Sequence, residues 1–297
     1  MDILESAIES LKGKQIPGDV VFKLYDTYGF PVDLTADIAR EHGLSIDQPG
    51  FEENMEAQRA RARGASKFGA VDQSDVKCGL ETEFSGYECI EESSTIAELY
   101  KDGSKVDALN DGESGALVLA RTPFYAESGG QVGDTGVIET HDGSFVVADT
   151  QKSGKANVHF GAMQFGKLNV GDTVTAKVDG MRRAATVLNH SATHLMHAAL
   201  RRVLGDHVQQ KGSLVAPDRL RFDFSHYEPV TTEQLAEIEA MVNDQVRKNV
   251  AAETRLMKYD DALASGAIAL FGEKNDDDVR ELSYGDISVE LCGGTHV

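Results

Sequence analysis

The sequence predicts a multidomain α+β protein with a helical N-terminal segment, a central small β-barrel and a C-terminal α+β portion. Three observations carry this. Apolar residues recur at helical spacing up to about residue 63. Between about 80 and 180 the texture changes to short β-rich runs separated by Gly, Asp, Asn and Ser. Beyond 181 helix and strand signals mix. A chain of 297 residues suits two or three domains, each large enough to bury a core, and these changes of texture place the bounds at 1–78, 79–180 and 181–297.

The elements follow in order. Residues 2–12 set Ile3, Leu4, Ala7, Ile8 and Leu11 on one helical face. Pro31 opens a second amphipathic stretch through Ile38 and Ala39 that stops at Gly43. A third run, Phe51 to Arg63, carries Glu52, Glu53 and Glu56 early and Arg59, Arg61 and Arg63 late, the order that complements a helix dipole. In the middle region Phe145–Ala148, Asn157–Phe160 and Thr173–Val178 read as strands. Asp102-Gly103, Asp111-Gly112, Asp142-Gly143 and Val170-Gly171-Asp172 mark turns at all-β spacing.

The last third opens with a helix over 181–204, for which Ala184, Ala185, Leu188, Ala192, Leu195, Ala199 and Leu200 predict the buried face. Arg219 to Phe224 alternates strictly, so Leu220, Phe222 and Phe224 face a core. Thr231 starts another helix, with Gln234 completing a capping box. Val279 to Leu291 reads as a hairpin about Gly285-Asp286.

Composition narrows the function classes. With 29 Lys+Arg against 49 Asp+Glu the net charge is −20, which argues against a protein that coats nucleic acid indiscriminately. No apolar run approaches the ~20 residues of a membrane span. The acidic start Met1 to Glu5 has no basic or apolar signal region, and three cysteines, Cys78, Cys89 and Cys292, have no disulfide-scaffold spacing. Together these features predict a reducing, cytoplasmic setting.

The strongest chemical signal is His190-x-x-x-His194 followed by Cys292-Gly-Gly-Thr-His296. An i, i+4 pair projects two imidazoles from one helical face, and the Gly293-Gly294 turn lets a thiolate and a third imidazole fold back to the same point. One Cys and three His suit a single tetrahedral zinc ion. His197 shares the stripe and reads as a supporting or structural residue. The metalloprotease pattern His-Glu-x-x-His fails because Ser191 stands where the glutamate would be.

Two weaker signals accompany it. Phe124-Tyr-Ala-Glu-Ser-Gly-Gly-Gln-Val-Gly-Asp134 is Gly-rich, and Gly129-Gly130 fits either a plain hairpin turn or a backbone that approaches a ligand closely. From 181 to 226, Arg182, Arg183, Arg201, Arg202, Lys211, Arg219 and Arg221 outnumber three aspartates. That local basic excess fits either a solvated helix face or an anionic partner such as a tRNA end.

Four motifs in order resemble the alanyl-tRNA synthetase family: Phe22-Lys-Leu-Tyr-Asp-Thr-Tyr-Gly-Phe-Pro31, Phe124-Tyr-Ala-Glu-Ser-Gly-Gly-Gln131, Asn189-His-Ser-Ala-Thr-His-Leu195 and Cys292-Gly-Gly-Thr-His296. The resemblance runs over nearly the whole chain, from the tRNA-recognition helices (1–78) through a β-barrel (79–180) to a C-terminally truncated editing domain (181–297). It implies post-transfer editing, the hydrolysis of tRNA(Ala) mischarged with serine or glycine. It implies zinc held by His190, His194, Cys292 and His296, one ion per chain. It matches Thr193 and Gln210 to editing-pocket residues, Gly129 and Gly130 to a substrate-binding loop, and Asp26 to the aspartate that reads the G·U pair of the acceptor stem. By residue type alone Asp26 is an ordinary helix or turn carboxylate.

The resemblance also implies the partners: tRNA(Ala) and its seryl and glycyl forms, with no membrane and no DNA. ATP and Mg2+ belong to the family's catalytic core, which these residues lack, so the chain reads as a fragment. Four protein ligands make a closed site, which suits anchoring better than activating water. Two other readings stay open: a zinc-stabilised tRNA-binding module without turnover, and a generic zinc esterase, against which the missing glutamate counts.

Overall fold

The computed structural model describes residues 13–28, 31–65, 76–264 and 278–297. The helix expected over 2–12, and Gly29 and Phe30 of the first motif, lie outside the described residues. The chain divides into two compact units, 1–70 and 71–297.

In the first unit β1 (Gln15–Ile16) leads into α1 (Gly18–Tyr28), α2 (Val32–Glu41), β2 (Ser45–Ile46) and α3 (Gln48–Ala65), with β1 and β2 paired in parallel. Helix α1 was not foreseen, and α3 starts three residues before the predicted run. Ile16, Val21, Leu24, Ala39 and Phe51 bury against one another. Gly18 permits a close approach of α1 to α3: a Cβ there would stand 2.2 Å from the carbonyl carbon of Gly50. Asp26 lies on the exposed side of α1.

The second unit opens with ten strands: β3 (Glu83–Phe84), β4 (Glu91–Lys101), β5 (Ser104–Val106), β6 (Ala108–Asn110), β7 (Ser114–Leu119), β8 (Arg121–Thr122), β9 (Gly136–Glu139), β10 (Gly143–Ser153), β11 (Ala156–Asn169) and β12 (Thr173–Val178). The order β10-β9-β12-β4-β7-β11 closes on itself because β10 also pairs with β11, giving a six-stranded barrel. Alternate residues point inward, so Ile96, Leu117, Leu119, Ile138, Phe145 and Val174 fill its interior. The predicted turns fall between strands. At Asp102-Gly103 both residues have positive φ, 50° and 75°, the conformation of a tight hairpin.

Beyond the barrel come α4 (Gly180–Leu204), β13 (Gln210–Val215), β14 (Leu220–Phe224), α5 (Thr232–Lys248), β15 (Ala252–Lys258), α6 (Tyr259–Ala264), β16 (Asp278–Tyr284) and β17 (Ser288–Leu291). Strands β13 and β14 pair with each other, and β15, β16 and β17 form a second antiparallel sheet. Asp179 caps α4 by accepting from the backbone N–H of Met181 and Arg182, and Thr231 and Gln234 form the predicted capping box on α5.

The buried face of α4 keeps Leu195, Ala199 and Leu200 of the predicted set but departs from it in the first half of the helix. Ala184 is exposed and Leu188 is 59% exposed, whereas Arg183, His190, His194 and His197 are buried with Val187, Ala198 and Ala199. The departure has a physical cause: the polar residues are engaged in a buried network, and engaged polar groups are held inward as firmly as apolar ones.

Candidate metal centre

Helix α4 brings His190 and His194 one turn apart, while the chain leaving β17 turns back through Gly293-Gly294 to deliver Cys292 and His296. One nitrogen from each imidazole and the Cys292 Sγ all lie within 4.8 Å of one another. Tetrahedral bonds of ~2.0–2.3 Å set ligand atoms about 3.3–3.8 Å apart, so the group is within ~1 Å of closing on an ion. His190 Nε2 is 3.6 Å and His296 Nε2 3.2 Å from Cys292 Sγ.

Neighbours hold the rings in the form a metal needs. Gln131 Oε1 accepts from the Thr295 backbone N–H at 3.0 Å and lies 2.8 Å from His190 Nδ1, so Nδ1 carries the proton and Nε2 keeps its lone pair. Gln131 Nε2 donates to Thr295 Oγ1 at 2.8 Å, which fixes the amide's orientation. Glu290 Oε2 takes His194 Nδ1 at 2.8 Å, and its other oxygen takes His197 Nδ1 at 3.1 Å. His194 Nε2 is buried without a hydrogen-bond partner, as a ligand nitrogen aimed at an ion would be. The donor set and this orphaned nitrogen fit zinc.

The electrostatics are those of a dry, coupled cluster. Burial lowers His190 to about 3, with the neighbouring His194 adding to the effect. Burial also holds His296 well below the usual imidazole range. For His194 burial acts downward but contacts with Cys292 and Glu290 outweigh it, raising the group to about 10, so His194 by itself holds a second proton that a metal would displace from Nε2. Glu290, whose burial alone would raise it, is held at about 2 by hydrogen bonds from His194 and His197.

A narrow cavity of about 10 Å³ abuts this group, and its walls include Gly129, Thr193, His197, Gln210, Phe222 and Glu290. Thr193, Gln210 and Gly129 therefore share one space with His190, His194 and Cys292. Gly130 takes a different place. It has φ +88°, and a Cβ on it would meet the Ser213 carbonyl oxygen at 2.7 Å, so it lets the Gly-rich loop lie along β13. Asp26 belongs to the N-terminal unit.

Glu290 carries no signal in the sequence, and Gln131 and Thr295 stand inside their motifs with no role that residue type alone reveals. The partners of the metal group come from both the barrel loop and the α+β portion, since Gln131 precedes β9 and Glu290 lies on β17. The predicted basic excess is reduced in the structure. Arg183 is buried against Asp134 and also donates to the carbonyls of Gly86 and Pro123 at 2.7 Å. Arg201, Arg219 and Arg221 pair with Asp206, Asp218 and Asp223. Among the described residues no helix is long and apolar enough to cross a membrane.

Comparison with known proteins converges on one family. The family described as tRNA synthetases class II (A) matches residues 1–182. An alanine–tRNA ligase of Pseudomonas fluorescens is 57% identical over all 297 residues, which cover 34% of that protein. One of Idiomarina loihiensis is 56% identical over 295 residues, again 34% of its length. The chain spans about a third of the curated relatives it matches. With the first motif and the barrel inside the matched region and the 57% identity extending over all 297 residues, the chain belongs to the class II (A) tRNA synthetase family and is similar to alanine–tRNA ligases along its whole length.

Proposed function

We propose that residues 79–297 carry an editing esterase that hydrolyses the ester of tRNA(Ala) mischarged with serine or glycine, and that residues 1–78 dock the tRNA acceptor stem, with Asp26 reading its G·U pair. ATP-dependent ligation of alanine belongs, in this reading, to a longer chain. The observation that carries the proposal is the meeting of Thr193 and Gln210 with His190, His194 and Cys292 around one cavity.

His190, His194, Cys292 and His296 would hold a zinc ion. When bound, the ion supplies a fixed positive charge that anchors the two chain segments and polarises whatever oxygen lies beside it. The chain's own groups do the rest. Thr193 Oγ1 donates to the Asn189 carbonyl at 2.8 Å, which leaves its lone pairs available to a ligand. Gln210 supplies an amide able both to donate and to accept, suited to orienting water at the ester carbonyl. Water adds to that carbon, the bond to the terminal ribose oxygen breaks, and the ribose oxygen takes the proton. An activation pocket sized for alanine needs a second site against serine and glycine that reads chemistry rather than size, and the polar groups of Thr193 and Gln210 at the cavity wall can supply that reading.

Deacylation of Ser-tRNA(Ala) beside Ala-tRNA(Ala), with zinc content read on the same sample, tests this. Selective loss of the seryl ester is expected. Zinc-loaded protein that binds tRNA yet leaves the ester intact overturns editing in favour of a docking module. In Cys292→Ala zinc and deacylation are expected to disappear together, and stoichiometric zinc in that variant would refute the ligand set.

A further inference from the structure

We infer that His197 is a specificity-determining contact of the cavity, its Nε2 accepting a hydrogen bond from the side-chain hydroxyl of a seryl ester. The inference rests on the editing reading above and deepens it. His197 is 2% exposed and forms part of the cavity wall, one helical turn beyond Thr193 on the same face of α4. Its Nδ1 lies 3.1 Å from Glu290 Oε1, a carboxylate oxygen that can only accept, so Nδ1 carries the ring proton and Nε2 keeps a lone pair. That Nε2 is buried and has no hydrogen-bond partner.

A buried acceptor left unpaired is costly, so this nitrogen favours a ligand that brings a donor. Thr193 Oγ1, its own proton committed to Asn189, presents a second acceptor nearby. The space is tight and lined by the Phe222 ring, 5.2 Å from the imidazole, so a neutral hydroxyl is desolvated beside Nε2 at less cost than a charged donor. An ester lacking the hydroxyl leaves Nε2 unpaired, which gives serine an advantage over the cognate alanine and makes serine the tighter-bound of the two edited acyl groups.

The test uses the full chain, His197→Asn and non-hydrolysable amide-linked seryl- and glycyl-adenosine, with affinities from calorimetry and zinc measured on each sample. Asparagine can reproduce the donation from Nδ1 to Glu290 while removing Nε2. The seryl-to-glycyl affinity ratio is expected to fall about tenfold, the worth of one hydrogen bond. An unchanged ratio, including equal losses for both analogues, overturns the contact. His197→Gln, which returns a polar amide near the position of Nε2, is expected to restore the ratio, and a ratio as low as that of His197→Asn overturns the assignment. Because the ratio cancels general damage to folding or zinc binding, it reads the contact itself. Should the wild-type chain bind the seryl analogue through His197 yet leave the seryl ester of tRNA intact, the editing reading falls and the contact stands.

Discussion

Gln131 Oε1 sits 2.8 Å from His190 Nδ1 and 3.0 Å from the Thr295 backbone N–H, so one fully buried amide from the barrel loop holds a helix imidazole and the Cys292–His296 turn together. Replacing Gln131 with Ala strands two buried donors and frees the His190 ring to rotate. Zinc affinity is expected to fall ~10–100-fold, the usual effect of losing a group that orients a ligand. Competition titration against a chromophoric chelator reads the change, and an affinity within twofold of wild type would remove Gln131 from the metal centre.

The two glycines of the turn are expected to respond differently. A Cβ on Gly294 would lie 2.2 Å from His190 Cε1, whereas one on Gly293 meets nothing within 4 Å. Gly294→Ala should therefore push the His190 ring off the cluster and weaken zinc binding, while Gly293→Ala should bind zinc as the wild type does. Equal behaviour of the two variants would contradict this packing.

Arg183 and Asp134 form a buried ion pair, both 6% exposed, in which each Asp134 oxygen lies 3.0 Å from Arg183 Nε. Asp134 also accepts from the Tyr125 backbone N–H at 2.7 Å, so the pair fastens the first turn of α4 to the Gly-rich loop. Arg183→Met leaves a carboxylate buried and uncompensated. A loss of ~3–5 kcal/mol in urea unfolding is expected, partly recovered by adding Asp134→Asn. A loss below ~1 kcal/mol would show that the pair is solvated.

His159, fully buried in the barrel, lies 3.0 Å from the Leu117 carbonyl through Nδ1 and 2.8 Å from Thr122 Oγ1 through Nε2. Burial lowers it to about 4. Above its unfolded value of ~6.5 both states are neutral and its contribution is fully present. As pH falls from ~6.5 towards 4 the unfolded chain takes up the proton first, so the barrel loses up to ~3 kcal/mol across that window. His159→Gln is expected to flatten the slope of stability against pH there. Thermal melts from pH 7 to 4.5 decide it, and parallel slopes in the two proteins would refute the linkage.

The last third of the chain shows what could be read in advance. His190 and His194 were legible because i, i+4 on a helix is a local geometric consequence of 3.6 residues per turn. Gly293-Gly294 between Cys292 and His296 was legible because only a short, unhindered turn folds two ligands onto one point. The capping box at Thr231 and Gln234 and the hairpin about Gly285-Asp286 are equally local, and the structure has both.

The buried face of α4 was legible in its second half, where Leu195, Ala199 and Leu200 are buried as periodicity predicts, but not in its first. Periodicity weighs apolar side chains and so selected Leu188, while the structure buries Arg183 because Asp134, 49 residues away, compensates its charge. Glu290 gave no signal either: one acidic residue on a strand has no meaning until β17 is laid beside α4 and its two oxygens meet His194 and His197. The sequence by itself thus determined many of the elements, most of the turns and the candidate ligand types, since these follow from neighbours within a few residues, though not α1 or several of the strands. Tertiary structure alone decided which polar groups are buried, which imidazole nitrogen carries each proton and which side chains share the cavity, because each depends on a partner that only folding brings within hydrogen-bond reach.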